Sequence, residues 1–145
     1  MTAPDLDELS SDLVVYAARL VRTVRHEVPH PATTRVLSLL DQHGPLGVTA
    51  LADADRCSQP TMTGAVRQLV DRGWVTKQRH PEDARASLVA LTTAGRRELR
   101  RVRESNGRLV ADRITADGRH DAADVATAVA VLRDLLERPE GDATP

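Results

Sequence analysis

The chain contains no phenylalanine, and Trp74 and Tyr16 are its only aromatic residues. Proteins that bind single-stranded nucleic acid stack bases on aromatic side chains, so the sequence excludes such a platform. The single cysteine, Cys57, also excludes an intramolecular disulfide and a cysteine-rich zinc site. The core must therefore consist mainly of Leu, Val and Ala, and we expect Cys57 to be a buried core thiol rather than a redox sensor.

Signals for secretion and membrane insertion are also missing. The stretch from Met1 to Asp12 has four carboxylates and no basic residue, unlike a secretory signal. No apolar run approaches the roughly 18 residues that a membrane span needs. We therefore expect a cytoplasmic protein with no membrane partner.

The sequence offers no catalytic or metal-binding signature. A Ser/His/Asp set would need a nucleophile elbow, and a phosphate site would need a Gly-rich loop, but neither motif occurs. His26 and His30 lack the helical spacing of a ligand pair because Pro29 and Pro31 interrupt that segment. We therefore expect neither an enzyme, nor a cofactor, nor a metal site.

The first predicted element is a long amphipathic helix at the start of the chain. Pro29 and Pro31 end this helix. Its narrow apolar stripe requires a partner surface, for which a second copy of the chain is one candidate. The stripe consists of Leu6, Leu9, Leu13, Ala17, Leu20, Val24 and Val28.

Three helices are predicted next, and the last two form a helix-turn-helix. The first of them stops at Gly44, and a short helix follows at roughly 48–55. Ser58 then caps a further helix with Pro60 in its first turn, and Gly73 closes it.

The pattern then changes to two extended runs around a charged turn, which predicts a β-hairpin over about 74–91. Two more helices follow, separated by Gly118. The fold class is therefore mainly α with a small β-hairpin. We expect the apolar side of the sixth helix to face inward, with Val125, Ala128, Val129, Leu132, Leu135 and Leu136.

The net charge of −1 conceals an uneven distribution. Residues 56–103 contain eleven basic and four acidic residues, a surplus of seven, and the rest of the chain is net −8. A solvated arginine-rich face is the simpler interpretation, since 19 of the 20 basic residues are Arg. Compositional bias does not explain the segregation, however, so we favour a surface that neutralises DNA phosphates.

Three segments resemble the MarR family of winged-helix transcriptional regulators. The run Arg79-His80-Pro81-Glu82-Asp83-Ala84-Arg85 is similar to the family's wing tip. Leu91-Thr92-Thr93-Ala94-Gly95 resembles the start of the helix that follows it. Ser58-Gln59-Pro60-Thr61-Met62-Thr63 resembles the start of the recognition helix.

The resemblance implies a winged helix-turn-helix with N- and C-terminal dimerisation helices, in one domain over 1–145. Segments 1–30 and 104–138 would dimerise, 31–103 would form the winged lobe with the start of the following helix, and 139–145 would be a frayed tail. A homodimer, more often a repressor in this family, would hold two recognition helices in major grooves about 34 Å apart on a pseudo-palindromic duplex.

Nine residues are candidate contacts to double-stranded DNA. Thr63 is placed to reach a base edge or a phosphate, and Arg67 is placed to contact a phosphate. At the hairpin tip, Arg85 can enter a narrow minor groove, and we expect the Asp83 carboxylate to pair with it. The full set is Ser58, Gln59, Pro60, Thr61, Thr63, Arg67, Arg79, Asp83 and Arg85. Gly64 and Arg56 depart from the family, in which a larger polar residue and a glycine are usual.

The resemblance also implies a small, often aromatic or phenolic, effector between the dimerisation helices and the DNA-binding lobes. Tyr16, Arg19, His26 and His30 are candidate effector-binding residues, although the same side chains could simply pack at a dimer interface. The alternative function is a helical dimerisation or interaction module that does not recognise DNA. Salt-dependent binding to a duplex separates the two.

Overall fold

The computed structural model describes residues 4–31 and 33–137. Its elements are α1 (Leu6–Glu27), α2 (Thr34–His43), α3 (Val48–Asp55), α4 (Gln59–Asp71), β1 (Val75–Arg79), β2 (Ser87–Leu91), α5 (Thr93–Asp117) and α6 (Ala122–Leu136). The predicted fold class, a mainly α chain with a β-hairpin wing, is confirmed. The tail expected to fray, 139–145, and residue 138 lie outside the described residues.

The chain forms two compact units, and the boundary between them falls inside α5, at Asn106 and Gly107. The first unit contains α1 to α4, the hairpin and the first part of α5. The second contains the rest of α5 and α6.

Helix ends follow from local chemistry. At the start of α1, the Asp5 carboxylate accepts a hydrogen bond from the amide of Asp7 at 3.2 Å. At the end of α2, Gly44 has φ of +76°, a backbone conformation that favours glycine. Gly73 and Gly118, at the ends of α4 and α5 as the sequence predicted, also have positive φ, of 74° and 69°.

The core of the first unit lies between α2, α3, α4, the hairpin and the start of α5. Its fully buried members include Leu37, Leu51, Met62, Leu69 and Val89. These aliphatic side chains pack without an aromatic centre, and Trp74 contributes only from the edge. Cys57 also lies at this edge and is half-buried, so the expectation of a fully buried thiol is wrong, because the residue belongs to the turn before α4.

The hairpin is antiparallel, with Val75 opposite Leu91 and Arg79 opposite Ser87. Leu46, in the connection between α2 and α3, adds an isolated bridge to Val89. The Val89 amide donates to the Leu46 carbonyl at 2.7 Å, and the Leu46 amide returns a bond of 3.1 Å. This bridge, which no sequence pattern predicts, joins the base of the hairpin to the helix-turn-helix.

The start of α5 is fixed against the end of α4. The Thr92 hydroxyl donates to the Gly73 carbonyl at 2.6 Å and accepts from the Gly95 amide at 3.0 Å. A Cβ atom at Gly95 would overlap the carbonyl of Trp74, so only glycine fits at this close approach.

The apolar faces of α1 and α6 are largely exposed. In α1 only Val24 is buried, and Leu9 and Leu20 are 49% and 45% exposed. In α6 no residue is buried, and Leu135 is 62% exposed. The expected inward face of α6 is therefore wrong for the single chain, because a unit of α6 and part of α5 cannot enclose a core. None of the helices in the described ranges is both long and apolar enough to cross a bilayer.

Candidate nucleic-acid interface

The turn between α3 and α4 sets the geometry of the helix-turn-helix. Arg56 occupies the left-handed region with φ of 55°, where glycine is favoured, and it caps the end of α3. The Cys57 amide donates to the Ala52 carbonyl at 3.0 Å. Arg35 of α2 binds Asp55 through two nitrogens, at 3.1 and 3.4 Å, which joins α2 to the end of α3.

Ser58 caps α4 as predicted. Its hydroxyl oxygen accepts a hydrogen bond from the Thr61 amide at 3.2 Å, and the two hydroxyl groups lie 2.8 Å apart. Pro60 occupies the first turn of the helix. The side chains of Ser58 and Thr61 therefore already form hydrogen bonds at the helix end, although both residues are exposed.

The next two polar side chains are also held in place. The Gln59 amide nitrogen donates to the hydroxyl of Thr49 in α3 at 2.8 Å. The Thr63 hydroxyl donates to the Gln59 carbonyl at 2.9 Å, which leaves its oxygen lone pairs and its methyl group available. Thr49 was not predicted from the sequence, because only the folded turn brings these residues, ten apart in the chain, together.

The exposed side of α4 forms a shallow open groove lined by Gln59, Pro60, Thr63, Gly64 and Arg67. Apart from the backbone of α4 itself and the two neighbouring residues, no atom lies within 4 Å of the position that a Cβ would take at Gly64, so the groove is open there. The structure thus brings four of the predicted DNA contacts to one surface of one helix.

The hairpin tip is an ordered turn. The Asp83 carboxylate accepts from the backbone amide of Arg85 at 3.0 Å, and the Asp83 carbonyl accepts from the Ala86 amide at 3.1 Å. The predicted ion pair between the Asp83 and Arg85 side chains is wrong: within the described residues, no carboxylate pairs with Arg85. At a separation of two residues, the carboxylate reaches the backbone amide instead and forms an Asx turn. Arg79, at the end of β1, is exposed.

The basic residues of segment 56–103 fall in two parts of the structure. Residues 56–91, which include α4 and the hairpin, have six basic and three acidic residues, net +3. The first part of α5, residues 93–103, has five and one, net +4. Two of these arginines have partners, since Arg103 binds Asp41 at 2.9 Å and Arg101 binds Glu98. The hydrogen bond from Arg101 lowers the pKa of Glu98 below its ordinary value.

The structure does not bring all four candidate effector residues into one site. Arg19 stacks over the ring of Tyr16, 5.8 Å from its centre, and both are exposed, as is His26. His30 is half-buried and lines a cavity at the end of α1. Within the described ranges, no group of three or more His, Cys, Asp or Glu side chains is arranged to hold a metal ion.

These features define a winged helix-turn-helix protein. The family model described as "MarR family" matches residues 31–87, which comprise α2, α3, α4 and most of the wing. An uncharacterised HTH-type transcriptional regulator of Mycobacterium bovis is 27% identical over 133 residues, 89% of this chain and 93% of that protein. Residues 31–87 thus match the MarR family model, and the chain as a whole is similar to HTH-type transcriptional regulators.

Solved structures share the same fold. A MarR family protein from Bacillus stearothermophilus is 23% identical with a TM-score of 0.63, over 92% of this chain and 96% of that one. A mutant MarR from E. coli is 23% identical with a TM-score of 0.61, over 94% and 99%. At these identities the likeness concerns the fold alone.

Proposed function

We propose that the protein is a ligand-responsive repressor that acts as a homodimer on a pseudo-palindromic DNA operator. The observation that carries this proposal is the exposed, polar start of α4, fixed by its own hydrogen bonds, on a lobe whose hairpin ends in the exposed and unpaired Arg85.

In this proposal the start of α4 enters the major groove. Gln59 presents its amide to a base from a position set by Thr49, and the methyl group of Thr63 contacts a thymine. Arg67, one turn further along, binds a phosphate. The remaining helix contacts are Ser58, Pro60 and Thr61, whose backbone and hydroxyl groups fix the register on the duplex.

The hairpin enters the neighbouring minor groove. Arg85 is the inserted side chain, because a narrow groove concentrates negative potential that attracts a guanidinium group. Asp83 shapes the turn through the backbone amide of Arg85, and Arg79 contacts the phosphates at the groove edge.

The exposed apolar faces of α1 and α6 support the homodimer. Soluble monomers rarely leave large contiguous apolar surface in contact with water, and a second copy can cover such a surface on both chains at once. A dimer would place two α4 helices on one duplex, about one helical turn apart, which is why we expect a near-palindromic operator.

Ligand responsiveness is supported by the cavity that His30 lines in the first unit. In the dimer, the spacing of the two winged lobes must equal the spacing of adjacent major grooves. A ligand that binds better to a dimer with a different spacing would lower the fraction of dimers able to bind DNA. The regulated promoter would then be released when the ligand is abundant.

The test is a footprint on the DNA beside the protein's own gene, followed by a titration over a salt series. We expect a protected near-palindrome and an affinity that falls steeply with salt, because bound arginines release counterions from phosphates. A helical interaction module that does not recognise DNA would give no footprint and no salt-dependent duplex binding. That outcome would overturn the proposal.

A further inference from the structure

A cavity of about 320 Å³ lies in the first unit, between the end of α1, α2 and the middle of α5. This volume is at the lower end of the range for ligand sites, so it suits a small molecule. Ligand sites are mostly lined by apolar and aromatic side chains. Here six of the nine lining residues are polar or charged, and the apolar ones are the aliphatic Val28, Pro31 and Val102.

Two buried polar atoms of this cavity lack a hydrogen-bond partner. They are Nε2 of His30 and Oδ1 of Asn106, neither of which is bonded within the described part of the chain. A buried polar atom without a partner is destabilising, and such atoms mark a site that something else completes. Asn106 Oδ1 requires a donor, whereas Nε2 of His30 can donate in the tautomer that carries its proton there.

The cavity also carries one uncompensated cation. Arg35 lines it but is neutralised by Asp55, at 3.1 Å. Arg25 lines it too, and no carboxylate of the described ranges pairs with Arg25. The chemistry therefore fits a single anionic group and a separate hydrogen-bond donor on a short carbon skeleton.

We propose that this cavity binds a small aliphatic hydroxy acid. Arg25 and Nε2–H of His30 bind the carboxylate, the ligand hydroxyl donates to Oδ1 of Asn106, and the aliphatic walls pack on the carbon chain. The inference rests on the proposed function, since it identifies the effector class of the repressor. It replaces the aromatic or phenolic effector that the family resemblance implied, because no aromatic side chain lines this cavity.

The test is an NMR titration of the free protein that follows the side-chain amide of Asn106 and the ring of His30. The probes are L-lactate and 3-hydroxybutyrate, which differ in the position of the hydroxyl, with propionate and butyrate as the matched acids without it. We expect saturable shifts with at least one hydroxy acid, and binding about fivefold weaker for its matched acid, since one hydrogen bond is lost. 4-Hydroxybenzoate should bind more weakly than that hydroxy acid.

Two variants locate the site. Arg25→Met keeps the aliphatic stem and removes the charge, and it should weaken binding at least about tenfold. Arg22→Met is the matched control, because Arg22 is exposed on the same helix and does not line the cavity. Asn106→Leu should remove the preference for the hydroxy acid over its matched acid. A dispersed spectrum confirms that each variant is folded.

The proposal is overturned by the absence of a saturable shift with either hydroxy acid up to about 10 mM, as expected for a cavity filled only by water. Equal binding of each hydroxy acid and its matched acid, tighter binding of 4-hydroxybenzoate, or unchanged binding in Arg25→Met also overturns it. DNA is absent from this titration, so a failed footprint and a failed ligand site are separate results.

Discussion

Arg85 is the residue on which the proposed DNA contact depends most directly. Its backbone amide is bound by Asp83, whereas its guanidinium pairs with no carboxylate of the described chain. The charge is therefore not neutralised within the hairpin, and the Asx turn fixes the backbone from which the side chain extends.

We expect Arg85→Ala to weaken operator binding at least about tenfold, because a minor-groove cation is lost at a site of concentrated negative potential. Fluorescence anisotropy at moderate salt measures the change. Arg108→Ala is the matched control, since Arg108 is an exposed arginine on α5 outside the basic segment 56–103. An affinity for Arg85→Ala that equals the wild-type value would refute the predicted contact, provided that sedimentation shows the same oligomeric state.

Arg56 is strained by its position in the turn. The left-handed region raises the conformational free energy of a residue with a Cβ by roughly 1–2 kcal/mol. Glycine avoids this cost but loses more conformational entropy on folding. We therefore expect Arg56→Gly to raise the free energy of unfolding by about 0.5–1 kcal/mol. Urea denaturation measures it. Arg56→Ala removes the same charge but keeps the Cβ, and an equal gain in that variant would assign the effect to charge instead.

At the scale of elements, α5 contains two glycines in opposite environments. A Cβ at Gly95 would overlap the Trp74 carbonyl, whereas one at Gly107 would meet nothing within 4 Å beyond its chain neighbours and the backbone of α5 itself. We expect Gly95→Ala to lower the free energy of unfolding by about 1–3 kcal/mol, because the α5 start must move away from the hairpin. Gly107→Ala, the matched control, should raise it by about 0.5–1 kcal/mol. Similar effects of both changes in chemical denaturation would contradict the close approach.

The element boundaries were predictable because they depend on local chemistry. Pro29 ends α1, Ser58 caps α4, and Gly73 and Gly118 end helices, each through a conformation that its own residue type imposes. The wing and the recognition helix could likewise be located from short motifs.

Contacts between elements were harder to predict from the sequence. The pair Gln59 and Thr49 and the bridge of Leu46 to Val89 join residues far apart in sequence, and no periodicity encodes them. The partner of Asp83 was misassigned because charge alone favours the Arg85 side chain, while the turn geometry brings its amide closer. The cavity also needed the fold, since α5 supplies Asn106 from 76 residues beyond His30.

At the scale of the whole molecule, the exposed face of α6 gives the most direct test of the proposed homodimer. Leu135 is 62% exposed in the single chain, so Leu135→Asp should leave the chain folded and act on association. We expect the dissociation constant of the dimer to rise at least about 100-fold, because the isopropyl end of the leucine side chain is lost and a carboxylate is desolvated in its place. Sedimentation equilibrium measures it.

The control for that variant is Ala130→Asp, which places the same carboxylate at an exposed position on the other side of α6. It should leave the dissociation constant within about twofold. Equal dissociation constants for Leu135→Asp and the wild type would exclude this face of α6 from the interface.

The bridge between Leu46 and Val89 divides the hairpin into a protected base and an accessible tip. Backbone amides at the base are buried and hydrogen-bonded, so they should exchange with solvent deuterium only when the lobe unfolds as a whole. The tip, residues 81–86, is exposed and depends mainly on the turn made by Asp83. A DNA groove can therefore change the conformation of these few residues while the rest of the hairpin stays fixed. The conformational entropy lost on binding is then confined to one short turn.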